Sequence, residues 1–162
     1  MEKQLMLSQL EYDSIYLHLN EYKDKIYRVY TDWATVWHNG KLGTVTEVGL
    51  WIHIEDLPHG NFSFRVKWIS NNEGEFLALI KAMEILLHLG IRNAMFLLDS
   101  QIVVNRANGL RPKGKNANTR MDAFQDQVLS LSKVFEIIHF VWVPRECNLI
   151  ADQLSKDLIQ GR

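Results

Sequence analysis

The sequence predicts a single α/β domain built on a five-stranded mixed sheet. Three observations carry that expectation. First, Tyr27–Trp37, Leu42–Ile54 and Phe62–Ile69 are rich in β-branched and aromatic residues, and turn signals separate them at Asn39-Gly40 and His59-Gly60-Asn61. Such runs joined by short turns form an antiparallel meander. Second, the pattern changes after Asn71-Asn72, where Leu79, Ala82, Met83, Leu86 and Leu89 fall at helical spacing. Third, Ala94–Leu98 is a short, wholly apolar run set between helical stretches. That is the signature of a parallel strand buried on both faces.

Taken in order, residues 1–25 read as an N-terminal extension of unknown role, helical in places (Lys3–Leu10) but without a sustained period. The domain proper runs over 26–162. Its three meander strands lead into a helix over Glu75–Leu89, which Gly90 ends. After the strand Ala94–Leu98 come helices over Ser100–Ala107 and Met121–Phe135. A fifth strand follows over Glu136–Val143, and a last helix over Asn148–Ile159. The order is β-β-β-α-β-α-α-β-α: an antiparallel sheet continued by parallel strands with helical crossovers.

Composition narrows the setting. A chain of 162 residues, 47% hydrophobic and 23% charged, suits one ordinary globular domain. The net charge of −1 means that any nucleic-acid partner must be held by local charge. Cys147 is the only cysteine, which leaves no internal disulfide or cysteine-based zinc cluster and suits a reducing compartment. The opening MEKQLMLSQLEYD has no apolar core of signal-peptide length, and no run approaches the ~18 apolar residues of a membrane span. A cytoplasmic protein with no membrane association is expected, and a monomer.

Four acids stand in unusual places. Asp32 lies inside the first strand, and Asp99 follows directly on Ala94–Leu98, where open α/β sheets place their sites. Glu75 opens the first helix, and Asp152 lies among Leu149, Ile150 and Leu154 in the last. Acids so placed are costly unless paired, and divalent cations are the usual remedy when several converge. Each has a plainer reading as well. Asp99 could cap the helix that follows, Glu75 could complement the helix dipole, and Asp152 could face solvent. Asp32 is hardest to explain that way, since Asp is depleted in strands.

The surroundings of these acids resemble the type 1 ribonuclease H family, in particular its compact bacterial and archaeal branch. Four stretches carry the resemblance: Tyr30-Thr31-Asp32-Trp33-Ala34; Ser70-Asn71-Asn72-Glu73-Gly74-Glu75 heading an Ala/Leu-rich helix; Asp99-Ser100-Gln101 after an apolar strand; and Val143-Pro144-Arg145-Glu146-Cys147-Asn148-Leu149-Ile150-Ala151-Asp152-Gln153-Leu154. They span Tyr27 to about Ile159, in the family's order. The resemblance implies an RNase H-like fold with helices on both faces of the sheet. It also implies an endonuclease that hydrolyses the RNA strand of RNA–DNA hybrids, leaving 5′-phosphate and 3′-hydroxyl ends. Asp32, Glu75, Asp99 and Asp152 would hold two Mg²⁺ ions, with Mn²⁺ as a substitute, about 4 Å apart. These activate the attacking water and stabilise the leaving 3′ oxygen. Asn71 and Gln101 match positions that contact the hybrid, whose 2′-hydroxyls mark RNA.

Three departures from the family pattern bear on the site. Trp33 stands where a small residue is usual, and strand alternation points it away from Asp32, where it would pack. The glycine-rich turn after the first strand is absent. Arg145 stands where many members carry a His, and is expected to contact phosphate or to pair with Glu146. The one basic cluster, Arg106 to Arg120, holds Arg106, Arg111, Lys113, Lys115 and Arg120 without an acid. Lys113 and Lys115 are assigned to the duplex backbone, the alternative being a solvated loop. The five tryptophans lie on predicted strands, which favours core positions over stacking platforms. Two other functions compete: a weakly active or inactive RNase H-like nucleic-acid-binding module, and a proofreading-type exonuclease. The exonuclease would usually show a second acid two residues after Asp32, where this chain has Ala34.

Overall fold

The computed structural model of the chain describes residues 7–37, 45–67, 70–114 and 117–148. Helix α1 (Gln9–Glu21) is followed by strands β1 (Tyr27–Trp37), β2 (Val45–Ile54) and β3 (Asn61–Lys67). Then come α2 (Asn71–His88), β4 (Asn93–Leu98), α3 (Gln101–Ala107), α4 (Thr119–Ser132) and β5 (Ile137–Trp142). The strands form one sheet in the order β3-β2-β1-β4-β5. β1 pairs antiparallel with β2, and β2 with β3. β4 runs parallel to β1, and β5 parallel to β4. This is the expected mixed sheet. The expected last helix, Asn148–Ile159, lies outside the described residues apart from Asn148, which follows a 3-10 turn (Arg145–Cys147).

Register explains why the core lies where it does. Val29 faces Ile54 across the β1–β2 ladder and Phe96 across β1–β4, and Ile52 faces Phe62 across β2–β3. Residues opposite one another share a face of the pleat, so the odd positions of β1 present one apolar surface. Helix α2 covers it with Ala78, Leu79, Ala82, Met83 and Leu86, all fully buried. The even positions, Tyr30 and Asp32 among them, lie on the other face, where Asp32 sits opposite Trp51. One strand therefore serves both the core and the site.

Element ends follow their caps. Helix α2 begins at Asn71, four residues before the start that the apolar period indicates, because Glu73 reaches back to accept the Ser70 backbone N–H at 3.4 Å. Likewise α4 begins at Thr119, two residues early, where Asn118 Oδ1 accepts from the Met121 N–H at 3.1 Å. Gly90, with φ of 85°, closes α2 as expected.

Of the stretch read as helical in places, Lys3–Leu10, the first four residues lie outside the described ones. Among those described, the N-terminal region carries the helix Gln9–Glu21, which packs on the rest of the domain. Ser8 and Glu11 form a reciprocal capping box at its start. Ile15 is completely buried in the shared core, and Leu7, Tyr12 and Leu19 pack beside it. Glu11 pairs with His59, and Tyr12 reaches His88 at the end of α2. If α1 is part of this core, Ile15→Ala should destabilise the protein by about 2–5 kcal/mol in denaturant unfolding. A cost below ~0.5 kcal/mol would make α1 an appendage.

Candidate metal centre

Three elements end at one place. β1 supplies Asp32, which is buried and whose Oδ1 accepts the Trp33 backbone N–H at 2.8 Å. Asp99 follows the last residue of β4, and Glu75 is the fifth residue of α2. Ligand-capable oxygens of Asp32, Glu75 and Asp99 all lie within 4.8 Å of one another.

The plainer readings of these acids fail on local grounds. Ser100, not Asp99, caps α3: its Oγ accepts the Val103 N–H at 3.3 Å. Glu73, not Glu75, serves the first turn of α2, which leaves Glu75 a turn too deep for capping. Both carboxylates are thus released from helix duty and aimed at Asp32.

Within the cluster Glu75 resists ionisation. Burial, and then the charges of Asp99 and Asp32, push Glu75 up to about 8 from an ordinary value of 4.5. The Trp33 hydrogen bond and the Arg145 charge oppose that rise. Three oxygen-bearing acids that repel one another form a donor set suited to a hard divalent cation, which could be held among them. Asp152 lies outside the described residues.

The neighbours are more specific than the sequence suggests. Trp33 does more than pack: its indole N–H donates to Glu75 Oε1 at 2.9 Å. Gly74 makes room for it, since a Cβ there would lie 3.2 Å from the indole ring. Glycine inside a helix costs roughly 0.5–1 kcal/mol against alanine, and here that cost goes with the close approach of α2 to Trp33. Asn148, which the sequence reading leaves without a role, is fully buried. Its amide donates to the Thr31 carbonyl at 2.8 Å and lies 3.4 Å from Asp99 Oδ2, which ties β1 to the β4 acid. Read as the first residue of the predicted last helix, it offers no periodic signal for a buried amide.

Other assigned residues are placed as follows. Asn71 opens α2 and Gln101 opens α3, with Gln101 exposed. Arg145 is exposed in the 3-10 turn, near enough to Glu75 for its charge to be felt there. Lys113 is exposed, and Lys115 lies outside the described residues.

Two expectations need correction. The arginines of the basic cluster are neutralised by acids beyond or before it. Buried Arg106 pairs with Asp122 at 2.7 Å, Arg111 with Asp126 at 2.5 Å, and Arg120 with Glu73 at 2.9 Å. Gln125 joins the group, accepting from Arg111 and donating to the Arg106 and Leu110 carbonyls. The cluster looks acid-free in sequence because its partners lie on α4 and α2. The tryptophans also divide. Trp51 is buried and Trp33 partly so, but Trp142 is 46% exposed, with its indole donating to the Asp99 carbonyl at 3.2 Å. It is the last residue of an edge strand, where cover runs out. The Trp37 side chain and Trp68 lie outside the description.

The profile of the reverse transcriptase-like family matches residues 58–158. The chain belongs to that family. Among its relatives by sequence is the bifunctional protein Rv2228c of Mycobacterium tuberculosis, 35% identical over 92 residues. The match covers 57% of this chain but 24% of that protein, so the chain spans about a quarter of the length of such relatives. Among solved structures, the fold of this reverse transcriptase-like chain matches RNase H1 of the archaeon Halobacterium salinarum with a TM-score of 0.67 at 22% identity, covering 85% of this chain and all of that one. LC11-RNase H1, solved with an RNA/DNA hybrid, gives 0.66 at 23%, covering 83% and 97%. The fold is therefore that of the type 1 ribonucleases H. No helix among the described residues is long and apolar enough to cross a membrane.

The raised Glu75 has a testable consequence. Without divalent cations the folded protein holds a proton there that the unfolded chain sheds near 4.5. The associated stability is fully present below that value and is lost as pH rises towards 8. In EDTA, thermal stability should fall between about pH 5 and 8, and Glu75→Gln should flatten that fall. An identical profile in both proteins would show that Glu75 ionises freely.

Proposed function

We propose that this chain is a metal-dependent endonuclease that hydrolyses the RNA strand of RNA–DNA hybrids, leaving 5′-phosphate and 3′-hydroxyl ends. The observation that carries this reading is the convergence of Asp32, Glu75 and Asp99 from three elements of a type 1 ribonuclease H fold. Asp152 completes the ligand set in this proposal. Two Mg²⁺ ions, with Mn²⁺ as a substitute, would supply activation of the attacking water and charge stabilisation at the leaving 3′ oxygen.

The chain's own residues do the rest. Asp32 and Glu75 would offer carboxylates from β1 and α2, and Asn148 ties Asp99 to the β1 backbone. Arg145 adds a cation beside the acids, suited to a phosphate oxygen. Gln101 and Asn71 are assigned to the hybrid, with Gln101 two residues past Asp99 and within reach of a minor-groove 2′-hydroxyl. Lys113 and Lys115 are assigned to the duplex backbone. The neighbouring Arg106, Arg111 and Arg120 are paired with acids, and Lys113 is exposed to solvent. The protein is taken to act as a cytoplasmic monomer.

The test is cleavage of labelled RNA–DNA hybrid, RNA duplex and DNA duplex in Mg²⁺, Mn²⁺ or EDTA. Cutting should be confined to the RNA of the hybrid and should stop in EDTA. Asp99→Asn should reduce it to background without loss of stability, since removing a like charge relieves repulsion. Deoxyribose around the scissile bond should suppress cutting strongly, each lost polar partner costing about 1–3 kcal/mol. Efficient cutting of plain DNA duplex would defeat the assignment. A folded protein inert on every substrate would favour the nucleic-acid-binding module.

A further inference from the structure

Trp33 stands in the site where the family pattern has a small residue. It directs two separate donors at two carboxylates. Its backbone N–H binds Asp32 Oδ1 at 2.8 Å, which any residue except proline could provide. Its indole N–H binds Glu75 Oε1 at 2.9 Å, which a glycine or alanine could not. We propose that Trp33 is a positioning residue for the cation site, fixing the Glu75 carboxylate so that its remaining lone pairs converge with those of Asp32 and Asp99. The proposal rests on the reading of these acids as cation ligands.

The surroundings suit that role. Glutamate is long and rotamer-rich, so a carboxylate at its end is poorly placed unless something holds it. The indole is itself held. Its backbone is paired to Leu50 of β2, and its side chain packs against the hydrophobic core. On the α2 side it lies against Gly74, where even a Cβ would be 3.2 Å from the ring. Strand and helix thus meet through one ring, and the donor at its edge reaches the only α2 acid in the carboxylate cluster. An aromatic hydrogen bond to a ligating carboxylate is the kind of outer contact that orients metal ligands.

Two measurements test this without substrate. The first is calorimetric titration with Mn²⁺. Trp33→Phe keeps an aromatic ring but removes the N–H and the rest of the indole, and it should weaken Mn²⁺ binding by about 10-fold while the metal-free protein still unfolds cooperatively. Equal Mn²⁺ affinity in the two proteins would overturn the proposal. The second reads the contact itself, and holds even if Trp33→Phe proves unstable. In ¹⁵N spectra of the metal-free protein, the assigned Trp33 indole N–H resonance should shift in Glu75→Gln, because its acceptor changes from a carboxyl group to a carboxamide. A resonance that stays in place would likewise overturn it. Failure of the unaltered protein to bind Mn²⁺ would instead count against the cation site, and with it the proposed purpose of the contact, even if the indole resonance shifts.

Discussion

Mutual repulsion among three carboxylates is the constraint around which this molecule is arranged. Asp32, Glu75 and Asp99 are brought within 4.8 Å of one another, partly out of water, where each charge opposes the others. Burial first, and then the charges of Asp99 and Asp32, raise Glu75 to about 8. A fold that needed only stability would not gather them. Here each acid is instead detached from local duties that another residue performs, Glu73 at α2 and Ser100 at α3. The sheet then fixes their convergence: β1 lies between β2 and β4, so Asp32 and the end of β4 are neighbours by topology.

Polar contacts around the acids extend the same logic. Trp33 touches both Asp32 and Glu75, Asn148 links Asp99 to the β1 backbone, and Trp142 holds the Asp99 carbonyl. Backbone and side-chain donors aimed at a carboxylate cluster lower the cost of its charge and restrict its motion. Away from the site, three arginines of the basic stretch are paired with acids of the same chain. Arg106, Arg111 and Arg120 are taken up by Asp122, Asp126 and Glu73, and the first of these pairs is largely buried. Such pairs fix the α3–α4 connection on α4 and contribute little positive field to solvent.

The parts of this structure written in local pattern were legible in the sequence. The meander strands, the buried run at β4 and the helical spacing of α2 each follow from a repeating arrangement of apolar side chains. Asp32 and Asp99 stood out because acids are rare in such places. What escaped was decided by distant contacts or by short polar signals. The helix α1 has a mixed apolar pattern, and its clearest mark was the Ser8–Glu11 capping box rather than a period. The pairing of the arginines depends on acids that folding brings from α4 and α2, and no local rule pairs Arg120 with Glu73. Trp33 was correctly turned from Asp32 by strand alternation, yet its indole edge finds an acid on the helix above. Alternation gives a direction, not a partner.

On the proposed function these three acids, with Asp152, form a cation site. Diffraction from crystals soaked in Mn²⁺, collected at the manganese edge, tests it most directly. Anomalous density is predicted among the carboxylates of Asp32, Glu75 and Asp99, within coordination distance of each. Ordered protein with no density there at saturating Mn²⁺, or with ions only at unrelated surface acids, would contradict the account.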